Sequence, residues 1–479
     1  MYSKKWLVGV SSLLILPLTA AGTVGTVQAS IPDEGTGESE YQEEEQNIEN
    51  VIVLIGDGLA AGQLEVSRAL EYGKEDLFHM EQLPNVGLMQ TYSNDNHVTD
   101  SAAAGSAMAT SQKTDNGMVS MTPDGESHET ILEAFQEQGK MTGVVVNNSV
   151  TDATPAAYTA HTDSRDNHED IARQQFDSQY DILFGGGLEN FLPEAQEGED
   201  LTERFQEEGY EFVQTREELM NAPVTDKMLG LFADGNMALE ADIDQMEEED
   251  QPSLSEMSDV ALQAMEQDED GFFLMIEGSR IDHAAHFASA NGVHQEVVEF
   301  DRTVELVQEW ASERDDTLVV VTSDHETMGM SMTEVMDVEA WQEMPATSEY
   351  MVEQFEMDEE SGMYTEASMR SAYEEYANME LTDEDIERLQ NSLYEEDGEP
   401  IDAFYQAVEA GLIIAEHYHL DVYSQNITQL SESTSGHSGN MVPIFADGPG
   451  SDSFNGVFDN TDLSKIIAEE AGIPFEGSR

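Results

Sequence analysis

Short apolar runs recur along the chain, and most of them are followed closely by Gly, Asp or Asn. The runs are Val51–Ile55, Val144–Val146, Ile182–Phe184, Phe272–Ile276, Leu318–Val321 and Pro443–Phe445. The stretches between them have helix-like composition, as in Ser101–Ser111, Glu129–Gln138 and Val297–Ser312. Apolar strands that alternate with helices predict an α/β three-layer sandwich, with a mostly parallel central sheet and helices on both faces.

The stretch from Ser331 to Leu430 interrupts this alternation. It is rich in Glu, Met and Tyr, with helix-like segments such as Thr382–Tyr394 and Ala403–Leu412. We expect a large, mainly helical insertion at about 331–430, near the mouth of the active site, within one catalytic domain over 51–479. A second acidic block, Glu240–Asp250, is interpreted as a solvated helix face or loop.

The N-terminus has the pattern of a secretory signal peptide. Lys4 and Lys5 precede an apolar run that ends near Leu18, and small residues lead to Ala29. Cleavage after Ala29 would leave 479 − 29 = 450 residues, and predicts a periplasmic or secreted protein. Residues 30–50 are acidic and turn-rich, which indicates a mobile lead-in. No later run is long and apolar enough to span a bilayer.

The charge balance is extreme. The chain has 101 Asp and Glu against 18 Lys and Arg, a formal net charge of −83. Such a surface repels nucleic acid and anionic lipid, so we expect neither as a partner. The bias runs through the whole sequence, which favours adaptation to high salt over a local acidic binding surface. There are no cysteines, so any metal must be held by His, Asp, Glu or hydroxyl groups.

Candidate functional residues follow the predicted strands, where α/β sheets place their sites. Asp57 lies between glycines after the first strand, which suits a cation or a phosphate but is also a common turn. Asp100 or Ser101 could simply cap a helix, or Ser101 could be a nucleophile at a helix N-terminus. Thr154 could be a hydroxyl ligand and Arg165 a phosphate clamp, although a capped turn and a surface Arg would look the same.

The strongest stretch begins at Glu277, directly after the run that ends at Ile276. Asp282 and His286 are four residues apart on one predicted helical face, a spacing that suits zinc. Further candidates are Asp324-His325 after another strand and His437 in a Gly-flanked loop. Each could be structural alone, but together the acidic and imidazole groups around one sheet predict a hydrolytic centre with two or three metal ions.

These motifs, in this order, resemble those of bacterial alkaline phosphatases. The shared stretches are Ile55-Gly56-Asp57-Gly58, Asp100-Ser101-Ala102, Asp152-Ala153-Thr154-Pro155, Glu277 to His286, Asp324-His325-Glu326-Thr327 and Gly436-His437-Ser438-Gly439. The resemblance covers about 52–327 and 436–450, and it leaves the insertion unmatched.

The resemblance implies a role for each matching position. Ser101 would attack phosphorus and form a phosphoseryl intermediate, and Arg165 would hold two phosphate oxygens. The implied zinc ligands are Asp282, His286 and His437 for one ion, and Asp57, Asp324 and His325 for the other. The implied ligands of a magnesium ion are Asp57, Thr154 and Glu277.

The resemblance is least complete around the third metal. Asp152 and His283 stand near it, outside the implied ligand set, at places where family members vary, so the zinc sites carry over better than the magnesium. Ser438 replaces the usual Thr after His437, a mild change.

The implied protein is a salt-adapted alkaline phosphatase that acts on many phosphomonoesters at alkaline pH, with two Zn²⁺ and one Mg²⁺ per chain, in a homodimer. The alternatives are a phosphodiesterase or sulfatase of the same superfamily and a non-catalytic acidic metal-binding surface protein. A sulfatase would need a modified Cys or Ser in its own motif, and a diesterase often has Thr in place of a serine such as Ser101.

Overall fold

The computed structural model of the protein describes residues 47–246, 250–358, 361–395, 398–423 and 434–478. The predicted signal peptide and most of the predicted lead-in lie outside these residues. Ile48 is buried and Asn50 already belongs to the first strand, so the sheet begins one residue before Val51.

The described residues form twelve strands. They are β1 (Asn50–Gly56), β2 (Asn85–Gln90), β3 (Met141–Ser149), β4 (Ile182–Gly186), β5 (Glu211–Val213), β6 (Met228–Leu231), β7 (Phe272–Gly278), β8 (Thr317–Thr322), β9 (Glu326–Thr327), β10 (His437–Ser438), β11 (Val442–Asp447) and β12 (Gly456–Asp459).

The same residues form sixteen α-helices. They are α1 (Ala61–Glu71), α2 (Ser101–Thr110), α3 (Ile131–Glu137), α4 (Ala153–Thr159), α5 (His168–Ser178), α6 (Leu201–Glu207), α7 (Arg216–Asn221), α8 (Leu254–Met265), α9 (Arg280–His286), α10 (Ala290–Ser312), α11 (Val338–Gln342), α12 (Ser348–Glu353), α13 (Glu366–Tyr376), α14 (Asp383–Ser392), α15 (Ala403–His417) and α16 (Leu463–Glu470). None of these helices is long and apolar enough to cross a membrane.

Ten of the strands form one sheet in the order β12-β2-β11-β8-β1-β7-β3-β4-β6-β5. Within this sheet β11 runs antiparallel to both of its neighbours, β8 and β2, and the other neighbouring pairs run parallel. The predicted α/β fold with a mostly parallel sheet is therefore confirmed. The run at Pro443–Phe445 is the exception to the parallel arrangement.

The central strands are apolar throughout because both faces of the sheet are covered. Along β1, Ile52 and Leu54 join one hydrophobic cluster with helix α10. Val51, Val53 and Ile55 join a second cluster that includes helix α3. Successive side chains of a strand point to opposite faces, so these two clusters are the two layers of helix packing that the sequence predicts.

The acidic block at Glu240–Asp250 differs from the prediction of a solvated surface. Asp242 is buried, and its carboxylate accepts hydrogen bonds from the backbone N–H and the hydroxyl of Thr347 at 2.7 and 2.6 Å. Glu240 is half-buried, and its backbone N–H donates to Glu296 at 2.7 Å. Composition alone could not distinguish these acids from exposed ones.

The described part of the segment after Ser331 contains helices α11 to α15, which agrees with its helix-like composition. Helix α15 packs tightly against the residue that follows α9, because a Cβ at Gly411 would lie 1.7 Å from the carbonyl oxygen of Phe287. Arg280 in α9 forms an ion pair with Glu349 in α12 at 2.6 Å. The segment is thus fixed against the helix that follows β7.

Candidate metal centre and phosphate site

Four neighbouring strands, β8, β1, β7 and β3, end at the same edge of the sheet. Each is followed by residues that the sequence singles out. These residues are Asp324 and His325 after β8, Asp57 after β1, Glu277 at the end of β7 with Asp282 and His286 in α9, and Asp152 and Thr154 after β3. The parallel order therefore brings together residues that are more than 250 positions apart.

One group consists of Asp57, Asp324 and His325, whose ligand atoms all lie within 4.8 Å of one another. His325 Nε2 is 3.5 Å from Asp57 Oδ1 and 3.2 Å from Asp324 Oδ2. Gly58 lets the backbone turn here, because its φ is +69° and a Cβ would lie 3.0 Å from Asp282 Oδ1. Two carboxylates and an imidazole suit a zinc ion.

A second group, Asp282, His325 and His437, also lies within 4.8 Å. His286 belongs to the same cluster, because its Nε2 is 3.3 Å from Asp282 Oδ2 and 3.2 Å from His437 Nε2. The four-residue spacing in α9 brings the carboxylate and His286 together, as predicted. Pairing of β10 with β9 then delivers His437 from the far end of the chain.

The orientation of His437 is set by its other ring nitrogen. Nδ1 lies 2.9 Å from the carbonyl oxygen of Thr99, which favours a proton on Nδ1 and leaves Nε2 with a lone pair. That Nε2 is 3.7 Å from Asp282 Oδ1. A carbonyl that fixes the tautomer of an imidazole in this way is typical of metal-binding histidines.

Several buried oxygens at this edge have no hydrogen-bond partner among the described residues. They are Asp57 Oδ1, Thr154 Oγ1, Glu277 Oε2 and Asp324 Oδ2. A buried polar atom without a partner is unfavourable by about 1–3 kcal/mol or more. Carboxylate and hydroxyl oxygens are ligands for magnesium and zinc, so the donor set fits bound metal ions.

The pKa values of the carboxylates lead to the same conclusion. Burial, followed by repulsion from Asp324 and Asp282, raises the pKa of Asp57 well above its usual value. Burial and Asp282 raise the pKa of Asp324 to about 7, and burial raises that of Glu277 to about 8. Acids packed so closely resist ionisation unless a cation lies between them.

The pKa values of two imidazoles are lowered, which is the direction that metal binding requires. Burial lowers the pKa of His325 well below its usual value and that of His437 to about 4. Both rings are therefore neutral, which is the form that binds metal. For Asp282, burial would raise the pKa, but attraction to His286 and a hydrogen bond with it outweigh burial and keep the pKa well below its usual value.

Ser101 is the first residue of α2. It lies at the two groups of acidic and imidazole side chains described above, which together with His286 are called the metal-binding cluster. Its Oγ is 3.1 Å from His325 Nε2. Asp100 is the N-cap, and its carboxylate accepts the backbone N–H of Ala103 at 3.0 Å. The sequence left a choice between a cap and a nucleophile, and in the structure it is Asp100 that makes the capping contact. Asp100 caps the helix, so the hydroxyl of Ser101 is left to face the cluster.

Arg165 lies between two carboxylates that orient it. Its Nη1 is 3.5 Å from Asp100 Oδ2 and its Nη2 is 3.3 Å from Asp152 Oδ1. Burial would lower the pKa of Arg165, but these two acids raise it above its usual value. Although burial opposes ionisation of Asp152, Arg165 and His283 lower its pKa below the usual value. The Arg is therefore held charged, with 23% of its side chain exposed.

Ser101 and Arg165 line one cavity of about 700 Å³. Asp152 and His283 line it as well, as do Asp57, Asp282, His286 and His437. The cavity therefore joins a hydroxyl, a fixed guanidinium and a set of metal ligands. This combination suits an anionic substrate that is attacked at a phosphorus or sulfur centre.

Comparison with known proteins resolves the choice. A sequence profile of the alkaline phosphatase family matches residues 48–473. The chain belongs to the alkaline phosphatase family.

Relatives match over nearly the whole length. The chain is 31% identical to alkaline phosphatase 3 of Bacillus subtilis over 474 residues, 95% of this chain and 96% of that one. The structure is similar to that of Thermus thermophilus alkaline phosphatase, with a TM-score of 0.78 and 27% identity over 93% of this chain and 96% of that one. This protein is accordingly an enzyme, a phosphoric monoester hydrolase.

A third relative bears on the metals. A variant of the alkaline phosphatase of the Antarctic bacterium TAB5 is described with Mg bound in its M3 site. It has a TM-score of 0.62 and 25% identity to this protein, over 90% of this chain and 100% of that one. That magnesium is a property of the TAB5 variant; in the present chain, the clusters of ligand atoms described above are groups that could hold a metal ion.

Other residues that line the cavity of this alkaline phosphatase were not predicted from the sequence. They are Gly117, Ser149, Ser164, Asp166, His168, Asn236, Asp402, Phe404, Tyr405 and Ser435. Phe404 and Tyr405 stand in the predicted insertion, where no motif marks them. Asp166 and His168 follow Arg165 closely, but polar residues at such positions carry no signal in one sequence.

Proposed function

We propose that this alkaline phosphatase hydrolyses phosphate monoesters through a covalent phosphoserine on Ser101. The position of the Ser101 hydroxyl supports this most directly, because it opens α2 and lies 3.1 Å from His325 Nε2 inside the metal-binding cluster. Helix N-termini favour negative charge through their free N–H groups. An alkoxide and a phosphate are both stabilised there.

Arg165 binds the phosphate in this proposal. Its guanidinium carries a parallel pair of donors that match two phosphate oxygens. Asp100 and Asp152 hold it from behind at 3.5 and 3.3 Å, which reduces the conformational freedom lost on binding. Asp152 and His283 shape the phosphate side of the third metal site.

Two zinc ions and one magnesium ion per chain complete the proposed site. The first zinc is assigned to Asp282, His286 and His437, the second to Asp57, Asp324 and His325, and the magnesium to Asp57, Thr154 and Glu277. Bound there, the metals supply positive charge for the attacking and leaving oxygens and lower the pKa of a coordinated hydroxyl.

The reaction takes place in two steps. Ser101 Oγ loses its proton and forms a bond to phosphorus as the bond from phosphorus to the ester oxygen breaks, and the alcohol leaves with a proton. Water then attacks the phosphoserine, the Oγ–phosphorus bond breaks, and inorganic phosphate departs. Arg165 holds the same two oxygens in both steps, and Ser101 regains its proton.

The remaining properties of the enzyme are proposed from the sequence. We propose low specificity for the alcohol, an alkaline pH optimum, a homodimer, and export to the periplasm or the medium after removal of residues 1–29. We also propose one catalytic domain over 51–479, with the insertion at about 331–430. The charge of −83 supports adaptation to high salt and argues against nucleic acid or an anionic membrane as partner.

One assay tests the reaction class. p-Nitrophenyl phosphate, bis-p-nitrophenyl phosphate and p-nitrophenyl sulfate release the same chromophore, so their kcat/KM values can be compared directly, with and without EDTA. The proposal requires the monoester to be preferred by orders of magnitude and its hydrolysis to stop with EDTA and return with zinc and magnesium. Preference for the diester or the sulfate would move the protein to another branch of the superfamily. No turnover at all would favour a binding protein.

A further inference from the structure

Two aromatic residues of the helical segment after Ser331 reach the catalytic cavity. Phe404 and Tyr405, at the start of α15, line the same cavity of about 700 Å³ as Ser101 and Arg165. Among the described residues that line it, these two carry the only large apolar side chains. Both are half-buried, so part of each ring faces the open space.

Phe404 lies beside two histidines of α9. Its ring centroid is 5.5 Å from that of His286 and 6.2 Å from that of His283, both edge-on, and 5.2 Å from that of Phe287. Tyr405 continues the surface, with its ring 5.4 Å from that of Phe404. The aromatic wall, defined as Phe404 and Tyr405, therefore stands against His286, whereas Arg165 is held by Asp100 and Asp152.

The wall is fixed in place. The Asp402 carboxylate caps α15 by accepting the backbone N–H of Phe404 at 2.9 Å. The amide of Gln406 donates to the Ile401 carbonyl at 2.7 Å and its oxygen accepts from Tyr364 at 2.9 Å. A rigid apolar surface loses little conformational entropy when a flat group packs on it.

The cavity is also larger than a phosphate needs. A volume of about 700 Å³ lies in the range of about 300–1,000 Å³ typical of sites for whole small molecules, so the alcohol part of the substrate has room inside. Asp402 is exposed and also lines the cavity, where its charge disfavours an alcohol that carries further negative charge.

We propose that the aromatic wall binds the alcohol part of the substrate, so that the enzyme favours monoesters of uncharged alcohols carrying an aromatic ring over small alkyl monoesters. This rests on the proposed phosphomonoesterase activity, which it refines. A flat ring packs on Tyr405 in an offset or edge-on arrangement, in which aromatic pairs are most stable. The wall thus acts on the choice of alcohol, while Arg165 recognises the phosphate common to all substrates.

The test compares benzyl phosphate with ethyl phosphate, whose leaving oxygens are both alkoxides. The variants are Tyr405→Ala and Phe404→Leu, the second keeping an apolar contact with His286. Tyr376→Ala is the matched control, because Tyr376 is a half-buried tyrosine of α13 outside the cavity. Zinc content and inhibition by inorganic phosphate are measured in parallel.

We expect Tyr405→Ala to lower kcat/KM for benzyl phosphate by about 3- to 10-fold more than kcat/KM for ethyl phosphate, and to leave zinc content and phosphate inhibition unchanged. Phe404→Leu should act in the same direction, and Tyr376→Ala should change neither substrate. An unchanged ratio of the two kcat/KM values in both cavity variants would overturn the subsite alone. If the unmodified enzyme hydrolyses neither ester, the proposed function fails as well.

Discussion

Carboxylates occupy two contrasting settings in this protein. At the carboxyl edge of the sheet, Asp57, Glu277 and Asp324 are buried and have oxygens without hydrogen-bond partners among the described residues. On helix α14, Asp383 and Glu384 are exposed at the first turn, where the helix dipole favours negative charge. The residue type is the same, but the surroundings differ in water and in neighbouring charge.

The exposed and the buried carboxylates therefore respond to different influences. Exposed acids are separated by water and are screened by any salt. Buried acids repel one another at short range, so they need a specific cation or a proton, and we therefore expect only the buried set to govern activity. The comparison can be tested by changing one member of each set.

The largest effect is expected from Asp324→Asn. The change removes one ligand charge beside His325, and we expect kcat/KM for p-nitrophenyl phosphate to fall at least about 100-fold, because even outer-shell partners of metal ligands contribute about 10- to 100-fold. Zinc content should fall as well. The matched control is Asp383→Asn on α14, which removes an exposed ion pair with Arg370 and should leave kcat/KM within about twofold. Equal losses of kcat/KM in both variants would show that the buried and the exposed carboxylates do not differ in their importance for activity.

Arg165→Ala should have the next largest effect. In the proposed site the guanidinium contacts phosphate and not metal, so inhibition by inorganic phosphate should weaken by about 10- to 100-fold while zinc content stays the same. Arg388→Ala serves as control, because Arg388 pairs with Glu416 at an exposed position on α14. Loss of zinc from the Arg165 variant would mean that its role is misassigned.

The dependence of stability on salt concentration tests the exposed carboxylates as a whole. Raising NaCl from ~0.1 M to ~1 M shortens the Debye length from about 10 Å to about 3 Å, which relieves repulsion within a chain of net charge −83. We expect Tm and the yield of refolded protein to rise by a clear margin, with a modest change in phosphate affinity. The experiment is a series of melts at fixed pH with saturating zinc and magnesium. A Tm that is flat or falls with salt would contradict adaptation to high salt.

A smaller effect is expected at Glu240, which is half-buried and lies outside the metal-binding cluster. Burial and repulsion from Glu296 and Glu299 raise its pKa to about 8. Between the ordinary value of 4.5 and about 8, the folded protein keeps a proton that the unfolded chain has released. Stability from this group is therefore present in full at low pH and is lost as the pH rises through the folded pKa.

Melts at several pH values check this expectation. Glu240→Gln removes the charge, so its Tm relative to the unmodified protein should rise by a few degrees from about pH 5 to about pH 8. Glu387→Gln changes an exposed acid of α14 and should shift Tm little at either pH. A pH-independent difference for Glu240→Gln would show that this carboxyl ionises normally in the folded state.

The sequence predicts the centre of the sheet better than its edges. The apolar runs of β1, β7 and β8 mark strands buried on both faces, and the chemistry after them follows from the geometry of a parallel sheet. In contrast, β2 places Val86 and Leu88 at the surface and gives no continuous apolar run. The antiparallel direction of β11 depends on long-range pairing that composition does not encode.

The candidate site shows the same limit. Ser101 and the metal ligands occur in recognisable motifs, but Phe404 enters the cavity only because α15 packs against Phe287 through Gly411. Similarly, nothing local distinguishes the buried Asp242 from its acidic neighbours. Tertiary packing decides both, and one sequence without a structure does not reveal it.

The covalent intermediate gives the most direct test of the central claim. The enzyme is mixed with phosphate labelled with ³²P, quenched in acid, digested and analysed by peptide mapping, in parallel with Ser101→Ala at matched zinc content. The account predicts labelled phosphoserine in the peptide that contains Ser101, no label in the variant, and a loss of turnover of at least about 10³-fold. Equal labelling of the variant, or label at another residue, would contradict the account and place the nucleophile elsewhere.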